Sequence, residues 1–445
     1  MKKATITESL LGGRAASFLA AALGCATVLA TISVPTGPAL AAVRGSNGPY
    51  SFAPFPDGMN ALNTLPTLEQ RVGTRYWSND PSDPETVFCK DPAQNFRCAV
   101  TRTQGQVYLD STSQPFIDGG GLWARTTASF GAFDSTYSHF DHVPGSPPRR
   151  TDPTTSSTDA RTWQFQMGFD HVLIENDAGK LIGGVNLTYG RAWTSSDSTS
   201  VSSYVGFPST LAHTRVETQG YGAGGTLTWY GQDGFYADAQ GQVTWYDSDM
   251  DVSSYKLYQG FRNYDPGYSL HGLKGFGYSL GLEAGKRFEI GDGLFLIPQA
   301  QVVYSRADYD DFGLLESYSR LPDSFSGSGN ASLTSRVGLG VEKQLSWKNA
   351  DGSISRLSLN GIANLYYVAE DERKLTMAEH YPGLTFIEEL DRKRDNAVWG
   401  GVGVGATYNW GSRYSVYGQG EYDTSFKDFG NNYKVSGTVG LRMNW

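Results

Sequence analysis

The sequence predicts an all-β membrane fold, a twelve-stranded antiparallel transmembrane β-barrel with a short α-helix in its lumen, on three observations. The first is the stretch Tyr433–Trp445. Tyr433, Val435, Gly437, Val439, Leu441, Met443 and Trp445 are apolar, aromatic or glycine, and Lys434, Ser436, Thr438, Gly440, Arg442 and Asn444 between them are polar or glycine. A period of two over that length is one strand with an oily and a wet face, long enough to cross a bilayer obliquely. Lipid does not tolerate free strand edges, so such a strand belongs to a closed barrel. The second observation is composition: 54 glycines in 445 residues, 13% aromatics and a mean hydropathy of −0.37. That is too polar for a helical membrane protein, whereas a barrel hides its hydrophobicity in alternation. The third is that short and long connections alternate from Gly121 onward, the asymmetry of a barrel with tight turns on one side and long loops on the other.

The elements follow in order. Lys2, Lys3 and Arg14 precede an uncharged run over residues 15–32, and Ala39-Leu40-Ala41 fits a small-residue cleavage site, so residues 1–41 read as a signal peptide. Pro35 and Pro38 favour cleavage over a membrane-anchoring helix. Cys25 leaves with the signal. Cys89 and Cys98 remain as an even pair in an exported chain, and a small disulfide loop is the default reading. The net charge of −9 and the lack of long runs of like charge give no hint of nucleic-acid binding, and no such partner is expected.

Residues 42–64 show no clear period. In the next stretch, Leu65, Leu68, Val72 and Tyr76 stand at helical spacing, with Thr64 as a cap and Pro66 in the first turn. The spacing predicts a helix of about three turns over 65–78, with Arg71 and Arg75 on one face. Residues 79–120 read as a linker carrying the cysteine pair. From 121 to 445 about twelve alternating segments follow, at roughly 122–134, 160–174, 181–197, 213–230, 235–248, 273–290, 294–310, 332–347, 354–369, 396–410, 414–426 and 433–445. Short connections such as 231–234 (GQDG) and 291–293 (GDG) carry the Gly, Asn and Asp of tight hairpins. The long ones span roughly 135–159, 198–212, 249–272, 311–331 and 370–395.

The chain resembles the C-terminal translocator barrel of type V autotransporters. The signal peptide carries part of the match. So do the helix LPTLEQRVGTRYW, the first strand GLWARTTASFG with its Trp-x-Arg, and the terminal aromatic strand. The resemblance implies a pore helix threading the barrel (Leu65, Leu68, Arg71, Val72, Arg75), a periplasmic linker over 79–120, and a passenger carried to the cell surface. It also implies an assembly signal in the last strand (Tyr433, Leu441, Met443, Trp445), read by the barrel assembly machinery and periplasmic chaperones. Only residues 42–64 stand where a passenger would, so they read as a short passenger remnant. The paired asparagines that some members use for cleavage are absent, with Pro66 and Thr67 in their place.

Two motifs imitate chemistry. Gly277-Tyr-Ser-Leu-Gly281 matches a nucleophile elbow but lies inside a period-two strand rather than at a strand-to-helix turn. Gly401-Val-Gly-Val-Gly-Ala406 imitates a dinucleotide fingerprint but continues as a strand. His139 and His142 share a long loop with Asp134 and Asp141 and read as solvated. Alternation puts Arg125, Asp170, Asp238, Arg356, Glu421 and Arg442 on the polar face, hence in the lumen, since a lipid-facing Arg or Lys near midplane costs about 2–4 kcal/mol. The expected function is an outer-membrane translocator of a Gram-negative cell, with no enzymatic activity, cofactor or metal, set in outer-membrane lipid as a monomer. The alternatives are a loop-mediated adhesin or structural protein and a small gated pore.

Overall fold

In the computed structural model the described residues are 41–43, 52, 55–75, 99–103 and 106–110. From 120 to 444 they are all but 143–146, 148, 151–153, 177, 202–207, 232–233, 259–260, 292, 317–321, 350–353, 382–383, 394–396 and 411–412. Residues 1–40 of the signal segment, Cys89, Cys98 and Trp445 lie outside them.

Among the described residues, twelve long strands form one closed antiparallel barrel. They are β1 (Gly121–His142), β2 (Thr154–Asn176), β3 (Gly179–Val201), β4 (Pro208–Gly231), β5 (Phe235–Tyr258) and β6 (Phe261–Lys286). Then come β7 (Leu294–Tyr309), β8 (Pro322–Lys348), β9 (Ile354–Tyr381), β10 (Val398–Trp410), β11 (Tyr414–Ser425) and β12 (Tyr433–Asn444). Each pairs with its neighbour in sequence, and the ring closes where β12 meets β1, from Asn444↔Gly121 to Tyr433↔Ala132. Closure leaves no edge in the membrane, which is what makes a sheet viable there.

Alternation sorts the side chains. Val185, Leu187, Leu280, Leu282, Val337, Val402, Val404 and Val439 face outward and are exposed, while polar residues of the same strands are buried in the lumen. Aromatic side chains border the apolar band. At the tight-turn end Trp347, Tyr408, Trp410 and Tyr414 stack in succession, with ring centroids 5.7–6.1 Å apart. Toward the loop end Trp163 meets Tyr189 and Trp245 meets Phe276. Such belts sit at the two membrane–water interfaces.

Many strands run well past the ends read from the sequence. β9 has 28 residues, and β5 and β6 extend to Tyr258 and from Phe261, through the stretch read as the loop 249–272. Above the lipid the outward face meets water, so Asp249 and Asp251 are exposed while Met250 and Val252 turn inward. The oily and polar faces exchange places, which breaks the period read from the membrane part of the strand. Two further short strands, Phe312–Glu316 and Leu384–Lys393, also lie in stretches read as loops. Ala41–Val43 pairs in parallel with Leu314–Glu316. Ala99–Thr103 and Gln106–Asp110 form a separate hairpin within the stretch read as linker.

The helix read over 65–78 is corrected in its described part, 65–75; residues 76–78 lie outside the described residues. Two short helices occupy this region of the chain: α1 (Phe55–Leu62) and α2 (Leu68–Val72). Thr67, not Thr64, caps α2: its hydroxyl accepts from the Gln70 backbone N–H and the Gln70 side chain accepts from the Thr67 N–H. This reciprocal pair satisfies two orphan donors and fixes where the helix starts. Pro66 therefore precedes the helix instead of lying in its first turn.

Candidate functional site: the occupied lumen

Phe52 and residues 55–75 lie inside the barrel, and the two halves of this segment meet different surroundings. α1 sits toward the long loops. Phe52, Phe55 and Met59 are fully buried and Leu62 nearly so. They join a cluster with Val216, Met250, Leu270, Tyr309, Phe312 and Phe325 of the wall. Phe52 packs on Phe325 with centroids 4.1 Å apart, and Phe55 meets Tyr309 edge-on at 5.0 Å. Burying one such side chain contributes about 1.5–3 kcal/mol. Gly58 lets the helix approach the wall: a Cβ there would stand 2.5 Å from the Thr218 hydroxyl.

Between the helices the backbone is held at Asn63. Its side-chain amide donates to the carbonyls of Tyr278 (3.2 Å) and Arg306 (2.9 Å), and the Ser279 hydroxyl lies 2.6 Å from the Asn63 carbonyl and 2.8 Å from its side-chain oxygen. Ser279, the serine of the apparent nucleophile elbow, is thus mid-strand in β6 and engaged by the threaded segment. Leu65 lies beside Gly281, whose Cβ, if present, would stand 2.9 Å from it. The Pro66 carbonyl accepts from Gln240 (2.9 Å) and Gln301 (3.2 Å).

α2 sits toward the tight turns, in a polar and charged part of the lumen. Arg71 donates to Asp238 at 2.7 Å, Thr228 at 3.0 Å and Thr226 at 3.3 Å. Thr228 and Gln240 donate to the same carboxylate. Arg75 pairs with Asp170, which also accepts from the Trp123 indole at 3.0 Å. The Leu68 N–H donates to Glu283 (3.1 Å), whose other oxygen accepts from Tyr236 (2.9 Å). Arg336 stands 3.4 Å from Glu283 and also donates to Gln299 and Asn364. Gln70 donates to Glu421 at 2.9 Å, and Asn364 and Tyr366 donate to the same carboxylate.

The end of α2 is tied to the wall through its carbonyls. Arg442 donates to the Val72 carbonyl (3.2 Å), Tyr417 to that of Arg71, and Arg125 to that of Gln70 (3.4 Å). Cations at a helix C-terminus also complement its dipole. Val72 itself is fully buried. Arg125, Asp170, Asp238, Glu421 and Arg442 all meet the threaded segment or a partner of it. Arg356 is buried in the wall. Gly73 ends the helix at φ 66°, and a Cβ on it would stand 2.8 Å from the Tyr417 ring. Gly73→Ala is therefore expected to cost about 1–3 kcal/mol, measured as a lower temperature for loss of the folded band on detergent gels.

Several anchors escaped the sequence reading: α1 as a whole, and the wall residues Glu283, Arg336, Gln240, Tyr417 and Asn364. A signal for α1 exists, since Phe55, Met59 and Leu62 fall at i, i+4 and i+7. The wall residues carry only their inward parity, which does not say what they meet. Of the residues read as an assembly signal, Tyr433 packs against Phe130 and Tyr422 on the barrel surface, and Leu441 and Met443 are half-buried. Asp134 has its backbone N–H bonded to Asn432, and the side chains of His139, Asp141 and His142 lie outside the described residues.

A closed antiparallel barrel with an apolar outer band, aromatic belts and a filled lumen defines a transmembrane barrel of the outer-membrane type. The autotransporter β-domain model matches residues 145–421, and the chain belongs to the autotransporter family. It sits in the lipid of the outer membrane of a Gram-negative bacterium. Among curated proteins it is 34% identical, over 88% of its length, to the adhesin BmaC autotransporter of Brucella suis. It is 28% identical, over 53% of its length, to the probable autotransporter YfaL of Escherichia coli. The chain spans 9% and 16% of the lengths of these relatives. Among solved structures, the transport unit of the autotransporter AIDA-I from Escherichia coli shares 16% identity, with 73% of this chain and 90% of that one covered and a TM-score of 0.47. The translocator domain of NalP from Neisseria meningitidis shares 15% identity, with 74% and 90% covered and a TM-score of 0.44.

Proposed function

We propose that this barrel is a translocator that presents the segment ahead of Phe52 at the cell surface and then holds the end of that segment as its own plug. The observation that supports this most is the polarity of the threaded chain. Phe52 packs at the long-loop end against Phe312 and Phe325, while Val72 bonds Arg442 near the tight-turn end of β12. Short turns face the periplasm and long loops face out in barrels of this kind. The segment before Phe52 therefore leaves toward the exterior, and the segment after Arg75 leaves toward the periplasm on its way to β1.

The helix pair 52–75, including the pore-helix residues Leu65, Leu68, Arg71, Val72 and Arg75, is the plug. The charges of the wall are its sockets rather than the lining of an open channel. The barrel acts without catalysis or a cofactor, as a monomer delivered by periplasmic chaperones and the assembly machinery, which reads Tyr433, Leu441, Met443 and Trp445. The relative named an adhesin favours an adhesive role for what is displayed. A disulfide between Cys89 and Cys98 closes a small loop in the periplasmic linker.

A folded reporter fused ahead of Phe52 is expected to be cut by protease added to intact cells. An epitope in the 99–110 hairpin is expected to stay protected until the outer membrane is permeabilised. A protected reporter with an accessible hairpin would reverse the polarity and overturn the proposal.

A further inference from the structure

The first and last strands of this barrel differ greatly in length. β1 has 22 residues and β12 has 12, so β12 covers β1 only from Gly121 to Ala132. At the next level the Asp134 N–H donates to the side-chain oxygen of Asn432 at 2.6 Å, and Asn432 is fully buried. The Asn432 backbone is itself fixed: its carbonyl accepts from the Ser425 N–H and the Thr424 hydroxyl, each at 3.0 Å. Above that level the strand Leu384–Lys393 pairs with β1, from Thr136↔Lys393 to His142↔Ile387. Its other edge pairs with β9, from Lys374↔Asp391 to Tyr381↔Leu384. β1 is thus joined to β9 through this one strand, over the heads of β10, β11 and β12.

We propose that Leu384–Lys393 is a latch that locks the closing seam of the barrel from the surface side, above the point where Asn432 extends the β12–β1 contact. The seam between first and last strand is the one contact in the ring made by chain ends far apart in sequence. A seam held only by β12 opens by losing one strand pairing. With the latch seated, opening also requires losing the pairing of β1 to the β9–β10 connection. That connection lies at the long-loop end, so the latch seats only after the loop has crossed the membrane. Closure above the lipid follows closure within it, and the finished barrel is kinetically trapped.

The test uses the full chain with Cys89→Ser and Cys98→Ser and the added pair Phe140→Cys/Glu389→Cys, which are direct register partners. Opposed residues of antiparallel strands lie about 4.5–5.5 Å apart at Cα, within disulfide reach. A control pair, Ala212→Cys/Ser254→Cys, joins β4 to β5 at the loop end, away from the seam. The oxidised latch pair is expected to unfold in heated detergent at least about tenfold more slowly than its reduced form, with little change for the control. Replacing 384–393 by a Gly/Ser loop is expected to speed unfolding by a similar factor. Failure of the latch pair to oxidise, equal rates for its two forms, or equal slowing by the control pair would each overturn the proposal. If the loop replacement does not insert, the cysteine pairs decide the matter alone.

Discussion

A barrel lacking residues 52–75 is expected to open as a stable ion-conducting pore in planar bilayers, where the full chain carries little or no current. A helix with its side chains is about 10–12 Å across, so removing the pair leaves a channel of that order. Its lower walls would carry Asp170, Asp238, Glu283, Arg336, Glu421 and Arg442, which now spend their hydrogen bonds on the segment or on each other. Deleting 52–63 alone removes α1 and leaves α2 in its sockets, and its conductance should stay close to that of the full chain. A full deletion as quiet as the intact protein would end the reading of the helix pair as a plug.

The second large effect concerns the buried ion pair of Arg71 and Asp238, whose side chains are 2% and 0% exposed. Arg71→Met leaves Asp238 charged, buried and short of its strongest donor, and is expected to cost about 3–5 kcal/mol. The double change Arg71→Met/Asp238→Leu removes both charges and should recover most of that loss, since an apolar pair of similar volume is often neutral. Unfolding rates in detergent and the frequency of open-channel events report the two consequences together. A single substitution as stable and as quiet as the parent would show that the pair does not hold α2. A double variant as damaged as the single would place the effect in packing rather than charge.

What was legible in the sequence follows the solvent boundary. Where one face meets lipid and the other the lumen, as in Phe235–Trp245 or Tyr433–Met443, contrast between faces marks the strand. Above the lipid, as around Asp251, the outward face is polar and the inward face carries Met250 and Val252, so the pattern changes phase and the strand reads as ending there. The twelve-strand count survived because each hairpin has one tight turn with Gly, Asn or Asp at its tip. The lumen was harder. Parity put Asp170 and Asp238 inward, but nothing in a single sequence joins Arg71 to one and Arg75 to the other. α1 stayed hidden because Pro56 and Gly58 depress helix propensity. Gly58 is there for close approach to Thr218, not for helix formation. The capping box at Thr67 was readable from Thr67 and Gln70 three residues apart, yet a longer apolar period starting at Leu65 masks it.

The division of the lumen gives the threaded segment two temperaments. Its outer half is held by Phe52, Phe55, Met59 and Leu62 against an oily collar, a grip that weakens on cooling. Its inner half is held by buried charge-assisted hydrogen bonds, which respond to the loss of a partner and only weakly to added salt. If the segment is a plug, cooling is expected to loosen its outer half first and leave the inner half seated.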